Sequence, residues 1–254
     1  MSRRRFYAPP EAFSPDGARV ALGRDEARHL RDVLRLARGD EAFVFDGGGR
    51  EFRCRVEESV RDSAVLAVEE EVEPAAPESP LRLTLAVALL KGEKLDLVVQ
   101  KATELGVCRV APVVTKLADV RLRGVDETSR RVERLRRIAL EACKQSGRAR
   151  VPLIDEPAAF ETFVKGGPAD GAVWRVLFSE RGGVGLAGAI ENLRARPAAV
   201  AALVGSEGGW TNEELAQARG AGWDIVTLGG RVLRAETAAI TVAALLQHAF
   251  GDLT

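Results

Sequence analysis

The chain has 254 residues, enough to bury a good core as one large domain or two smaller ones. Its 46% hydrophobic and 29% charged residues are those of an ordinary globular protein, and no apolar run reaches the ~20 residues of a membrane span. Formal net charge is zero, which by itself argues against a nucleic-acid partner.

The charge is unevenly spread, however. Between Arg121 and Arg150, ten arginines and lysines face four carboxylates. Phosphate binding answers to local charge more than to the total, and a stretch dominated by arginine suits bidentate phosphate contacts. No apolar stretch follows Met1-Ser2-Arg3-Arg4-Arg5, so no secretory signal is read and a cytoplasmic location is expected. Cys54, Cys108 and Cys143 are odd in number and widely spaced, as expected of reduced thiols. With His29 and His248 the only histidines, no metal site is expected.

In chain order, residues 19–22, 41–45, 52–56 and 64–68 are short apolar runs read as strands. Asp46-Gly47-Gly48-Gly49 makes a hairpin-type turn between two of them. A helix over 25–37, closed by Gly39, interrupts the strands. On it Arg28, Arg31, Arg35 and Arg38 recur at spacings of three, four and three, opposite Leu30, Val33 and Leu34. A small β-barrel with one helix fits this region. The acidic, proline-rich stretch 69–80 is the best domain boundary, giving a barrel over 1–73, a linker over 74–80 and a second domain over 81–254.

Beyond the boundary the pattern alternates. Strands are expected at 81–90, 107–114, 172–178, 200–204 and 223–228. Helices are expected at 93–105, 126–146, 186–195, 212–219 and 235–250, with Thr211-x-x-Glu214 as a capping box for the fourth. Repeated β-α-β units argue for a mostly parallel sheet covered by helices. Arg130, Arg134, Arg137 and Lys144 form a second basic stripe, along the 126–146 helix.

Two glycine-bearing loops each lie between a strand and a helix: Val204-Gly205-Ser206-Glu207-Gly208-Gly209-Trp210 and Leu228-Gly229-Gly230-Arg231-Val232-Leu233-Arg234. Open α/β sheets bind ligands at the carboxyl ends of their strands, and glycines there permit close backbone approach. A competing motif is Gly183-Val184-Gly185-Leu186-Ala187-Gly188, a formal dinucleotide fingerprint with Glu207 further on, which would imply NAD. Against it, Ser179-Glu180-Arg181 separates the strand from the first glycine, and the helix that follows is short. Trp210, beside the first loop, is a candidate for stacking on a base.

Several of these elements together resemble the SPOUT RNA methyltransferases, and within them the RsmE type. They are Gly205-x-Glu207-Gly208-Gly209, Leu228-Gly229-x-Arg231-Val232-Leu233-Arg234-x-Glu236-Thr237-Ala238, Lys91-Gly92-x-Lys94, Gln100-Lys101-x-x-Glu104-Leu105-Gly106 and Glu141-Ala142-x-x-Gln145-Ser146-x-Arg148. At the N-terminus, Arg4-Arg5-Phe6-Tyr7 and His29-Leu30-x-x-Val33-Leu34-Arg35 match as well. Ser206 and Gly230 stand where that family usually has proline. The resemblance implies an α/β fold: a SPOUT domain with a mostly parallel sheet and a C-terminal trefoil knot, preceded by a PUA-like RNA-binding barrel. It also implies a homodimer that uses S-adenosyl-L-methionine to methylate N3 of a uridine in 16S ribosomal RNA of the small subunit. Methylation of another RNA position, such as a ribose 2′-hydroxyl, and a non-catalytic RNA-binding role in ribosome assembly are the alternatives.

The residues that would carry this function follow from the same matches and from the basic stripes. Cofactor contacts are expected from Leu203, Val204, Gly205, Glu207, Gly208, Gly209, Leu228, Gly229, Arg231, Val232, Leu233 and Thr237. Arg234 is the candidate catalytic residue, stabilising charge on the uracil oxygens. RNA contacts are expected from Arg3, Arg4, Arg5, Arg28, Arg31 and Arg35, and from Arg130, Arg134, Arg137, Lys144 and Arg148.

Overall fold

The computed structural model describes residues 3–120, 124–166 and 173–254. Arg121 and Arg123 of the basic stretch, and the predicted start of a strand at residue 172, lie outside the described residues. The chain divides into two compact units, Met1–Glu78 with Leu140–Val151 and Ser79–Ala139 with Pro152–Thr254. No helix among the described residues is long and apolar enough to cross a membrane.

The first unit is built on β1 (Arg5–Tyr7), β2 (Arg19–Leu22), β3 (Glu41–Phe45), β4 (Glu51–Ser59) and β5 (Ala64–Val72), joined in the order β1-β3-β4-β5-β2. All neighbours are antiparallel except β1 with β3. Alternate strand residues turn inward, so Phe6, Val20, Leu22, Ala42, Val44, Cys54, Val56 and Leu66 form one core. β5 runs past the apolar residues into the acidic stretch because Glu69 and Glu70 pair across the sheet with Arg53 and Arg55.

The predicted helix over 25–37 is corrected. Helix α1 (Arg24–Arg28) is followed by a π-helical turn, His29–Val33. The wider turn lets both Leu30 and Leu36 reach the core, with the Leu34 N–H donating to the His29 carbonyl at 3.0 Å and the Leu36 N–H to that of Leu30 at 3.0 Å. Arg35 then takes φ of +53° and Val33 is 64% exposed, so Arg28, Arg31 and Arg35 do not share one α-helical stripe.

The second unit holds, in order, β6 (Arg82–Ala88), α2 (Lys94–Glu104), β7 (Arg109–Val114), α3 (Val125–Ser146), β8 (Leu153–Ile154) and β9 (Ala158–Ala159). There follow α4 (Phe160–Gly166), β10 (Val173–Phe178), β11 (Val184–Gly185), α5 (Leu186–Glu191), β12 (Ala199–Val204), α6 (Asn212–Gly220), β13 (Asp224–Thr227) and α7 (Ala235–Phe250). The last turns of α3 belong to the first unit. The sheet order is β11-β13-β10-β12-β6-β7-β8, with β9 also on β7, and every pairing is parallel. β12 is buried along its whole length, which is why it reads as an unbroken apolar run and not as an alternation. On one face Leu177, Ala201 and Leu203 meet Phe160, Val164, Leu215 and Ala218 of α4 and α6. The other face is covered by α2 and α7, whose Ala239, Val242, Ala243, Leu246 and Phe250 are buried.

Candidate active site

Three parallel strands, β13, β10 and β12, lie side by side, and their carboxyl ends frame a cavity of about 370 Å³. Phe178, Ser179 and Glu180 line it from the end of β10, residues 204–210 from the end of β12, and residues 227–229, 231–235 and 238 from the loop after β13 and the start of α7. Both glycine loops singled out in the sequence therefore face one space. Of the twelve residues expected to contact a cofactor, ten line it. Leu203 lies inside β12, fully buried, and Thr237 is exposed in the first turn of α7; neither is on the cavity wall.

The first loop is fixed by contacts that leave no room for side chains. A Cβ on Gly208 would come within 2.8 Å of Leu117, backbone oxygen included. Gly209 has φ of +68° and donates its N–H to the Ser206 carbonyl at 3.0 Å; a Cβ there would lie 2.6 Å from Glu180 Oε1. Beyond the loop, the Thr211 hydroxyl accepts from the Glu214 N–H while the Glu214 carboxylate accepts from the Thr211 N–H, and the same carboxylate accepts from the Lys116 N–H at 2.9 Å. The expected capping box thus starts α6 and ties the 115–117 segment beside the loop.

Lys94 connects the first glycine loop to the start of α7. Its Nζ donates to Glu207 Oε1 at 2.5 Å and stands 3.9 Å from Glu236 Oε2. The Glu207 hydrogen bond raises the Lys94 pKa above its ordinary value. Burial opposes charge on Glu207, yet the hydrogen bond and attraction from Lys94 hold its carboxyl below the ordinary value. Both groups are therefore ionised around neutral pH. Arg231 and Arg234 are exposed at the cavity wall, and among the described residues neither is engaged in an ion pair. The site thus joins a close-fitting backbone cradle to two uncompensated guanidiniums. Such a cradle suits a nucleoside-sized ligand, and the guanidiniums suit an anionic one.

Ser206 is buried, and its hydroxyl finds no hydrogen-bond partner among the described residues. Trp210 is a core residue: 2% exposed, packed on Phe160, with its indole N–H donating to the Phe178 carbonyl at 2.8 Å. It borders the cavity beside Gly205, whose Cβ would lie 3.0 Å from the indole, but buried among core side chains it is not free to stack on a base, so that role is corrected. The Gly183–Gly188 motif also has a packing explanation. Gly183 lies against the Ile225–Val226 backbone so that β11 can pair with β13, and the six-residue α5 follows.

The basic residues fall into two groups. Arg4, Arg28, Arg35, Arg130, Arg134 and Arg137 are exposed, although Arg28 pairs with Asp32 and Arg134 with Asp96. Arg31 is part-buried, paired with Asp32 and donating to the Val60 and Arg61 carbonyls. Others are structural, and for them the predicted exposed face is corrected. Arg5 binds the fully buried Glu51 and donates to the Cys143, Lys144 and Arg148 carbonyls, satisfying the C-terminal end of α3. Arg3 shares Glu51, Lys144 pairs with Glu26 at 2.7 Å, and Arg148 pairs with Glu78 at 2.6 Å.

Sequence reasoning missed Phe178, Ser179 and Glu180. The only signal was that they end an apolar run; that this run lies between the other two in the sheet is a fact of topology.

The comparisons with known proteins agree with this architecture. The RNA methyltransferase domain family matches residues 77–247, and the RNA methyltransferase PUA domain family matches residues 22–69. Ribosomal RNA small subunit methyltransferase E of Synechocystis is 33% identical over 240 residues, covering 94% of this chain and 75% of the relative. The protein of the same name from Mycobacterium bovis is 31% identical over 259 residues, covering 98% and 91%. The crystal structure of the Neisseria gonorrhoeae enzyme of that name, bound to S-adenosyl methionine, superposes with a TM-score of 0.87 at 32% identity over all of both chains. With a parallel α/β domain, a PUA domain before it and these relatives, the chain belongs to the RsmE-type SPOUT family of RNA methyltransferases.

Proposed function

We propose that this protein transfers a methyl group from S-adenosylmethionine to N3 of a uridine in small-subunit ribosomal RNA. The observation that carries the reading is the single cavity formed by both family-matching loops, with Arg231 and Arg234 at its wall. Its volume of about 370 Å³ and glycine-lined walls fit a nucleoside joined to an amino acid, as S-adenosylmethionine is. When bound, that cofactor supplies a methyl group already activated by the sulfonium.

The chain's own residues hold and orient the reactants. Backbone of the two glycine loops cradles the cofactor, and Lys94 ties one loop to the start of α7 through Glu207 and Glu236. The uracil N3 proton must pass to solvent water before nitrogen attacks, and Arg234 would stabilise the negative charge that then spreads to the uracil oxygens. In-line placement of nitrogen and methyl supplies much of the rate. The target base has to be unpaired or flipped out to reach the cavity. Residues 1–73 would act as the RNA-binding domain, with the exposed Arg4, Arg28 and Arg35 on phosphates. We carry the knotted C-terminal region, the homodimer and the cytoplasmic location as parts of the same proposal.

Calorimetry with S-adenosylhomocysteine tests the cofactor, and mass mapping of methylated small subunits tests the base. The wild type should bind and methylate uridine N3, while Gly208→Val, whose side chain would collide with Leu117, should lose binding yet remain folded. Binding retained by that variant, or a methyl group found on a ribose oxygen, would refute the corresponding part.

A further inference from the structure

Glu180 is a cavity-lining carboxylate just past the end of the middle strand of the three that frame the site. It stands at the end of β10, next to the first glycine loop, and the approach of Gly209 leaves no space for a Cβ above it. Its side chain is 32% exposed, and Oε1 accepts from Arg181 Nε at 3.1 Å. Oε2 has no hydrogen-bond donor among the described residues. The other polar side chains of the wall differ in kind, the Ser206 and Thr227 hydroxyls being neutral and each carrying a single oxygen. Glu207 is held by Lys94, the Ser179 hydroxyl donates to the Arg181 carbonyl at 2.7 Å, and Arg231 and Arg234 can only donate.

We propose that Glu180 accepts the paired hydroxyls of a ribose in this cavity; the assignment rests on the reading that the cavity holds S-adenosylmethionine. An ionised carboxylate offers two acceptors and no donor, the complement of two neighbouring hydroxyl donors. An acid at a strand end plays that part toward ribose in doubly wound nucleotide-binding folds, where it lies beside the glycine turn that holds the phosphates. Here Glu180 lies beside Gly209 in the same sense. The carboxylate lies beside the Gly209 backbone with Oε1 held by the Arg181 side chain, which leaves Oε2 to accept. Glu180 is then a residue that makes the site choose a ribonucleoside over a deoxy analogue.

The test is calorimetric titration of the full chain and of Glu180→Ala with two probes, S-adenosylhomocysteine and its 2′,3′-dideoxy analogue. Wild type should prefer the first by tenfold or more, on the order of one charged hydrogen bond. Glu180→Ala should weaken binding of S-adenosylhomocysteine by a similar factor and leave the dideoxy probe unchanged, so that the preference disappears. Equal weakening of both probes, or a preference that survives the substitution, would overturn the assignment while leaving the cofactor reading intact. If wild type binds neither probe, the cofactor reading fails and the assignment falls with it. Glu180→Gln, which keeps the side-chain volume, serves in place of the alanine variant if thermal unfolding shows that variant misfolded; its amide keeps one acceptor, so a reduced preference is expected of it, and an undiminished one would overturn the assignment.

Discussion

Single residues fix several features of this protein through partners far away in the chain. Glu51 is fully buried and satisfied by Arg5 and Arg3, while Arg5 in turn holds three carbonyls at and just beyond the end of α3. Removing the carboxylate leaves a nearly buried guanidinium without its counter-charge. Glu51→Ala should therefore cost about 3–5 kcal/mol of stability, read from the shift in a urea unfolding midpoint. Asp46 shapes the β3–β4 turn by accepting from the Gly48 and Arg50 N–H groups and from the Arg50 side chain. Burial opposes its charge, but those hydrogen bonds prevail and its carboxyl sits below the ordinary 3.8. A depressed carboxylate stabilises the fold above its unfolded pKa, and that contribution fades as pH falls through the lower folded value. The stability gap between wild type and Asp46→Asn should thus be flat from pH 5 to 8 and shrink below about pH 4. A gap that grows in acid would contradict this sign.

Elements were legible in the sequence to the extent that one local signal governed them. α6 carried its own start signal, and Thr211→Ala should remove about 1 kcal/mol, seen by thermal unfolding. β12 was legible as an apolar run, and α7 as a long helix, because burial on one side or both is written into composition. The segment 24–36 was not legible in detail. Its apolar spacing fits an α-helix, but the need to bury both Leu30 and Leu36 against the strands opens a π turn and puts Arg35 at positive φ. The two-residue strands β8, β9 and β11 were missed because each exists only through its parallel neighbour. In the site, both glycine loops were visible, whereas Glu180 was not, since its place depends on strand order. The charge stripes misled for a related reason. Spacing locates Arg5, Lys144 and Arg148, but it does not reveal the carboxylates, distant in the chain, that claim them.

At the scale of the whole molecule, neither compact unit is a continuous stretch of chain. The first is completed by Leu140–Val151, which places Leu140, Cys143, Ala149 and Val151 against Tyr7 and Phe45. A chain of residues 1–78 alone would leave that apolar surface bare. It should show no sharp thermal transition, whereas 1–78 joined by a short flexible linker to 140–151 should unfold cooperatively. Equal cooperativity of the two would show that the added segment is dispensable. The parallel sheet raises the same issue more acutely. β6, the first of its strands to be made, lies between β7 and β12, and Arg82 is paired with Ala199. During synthesis at ribosomal speeds, β6 therefore waits on the order of ten seconds for that neighbour to emerge. For that interval a nearly continuous apolar strand has one open edge, the state in which nascent chains are most prone to pair wrongly and most dependent on chaperones.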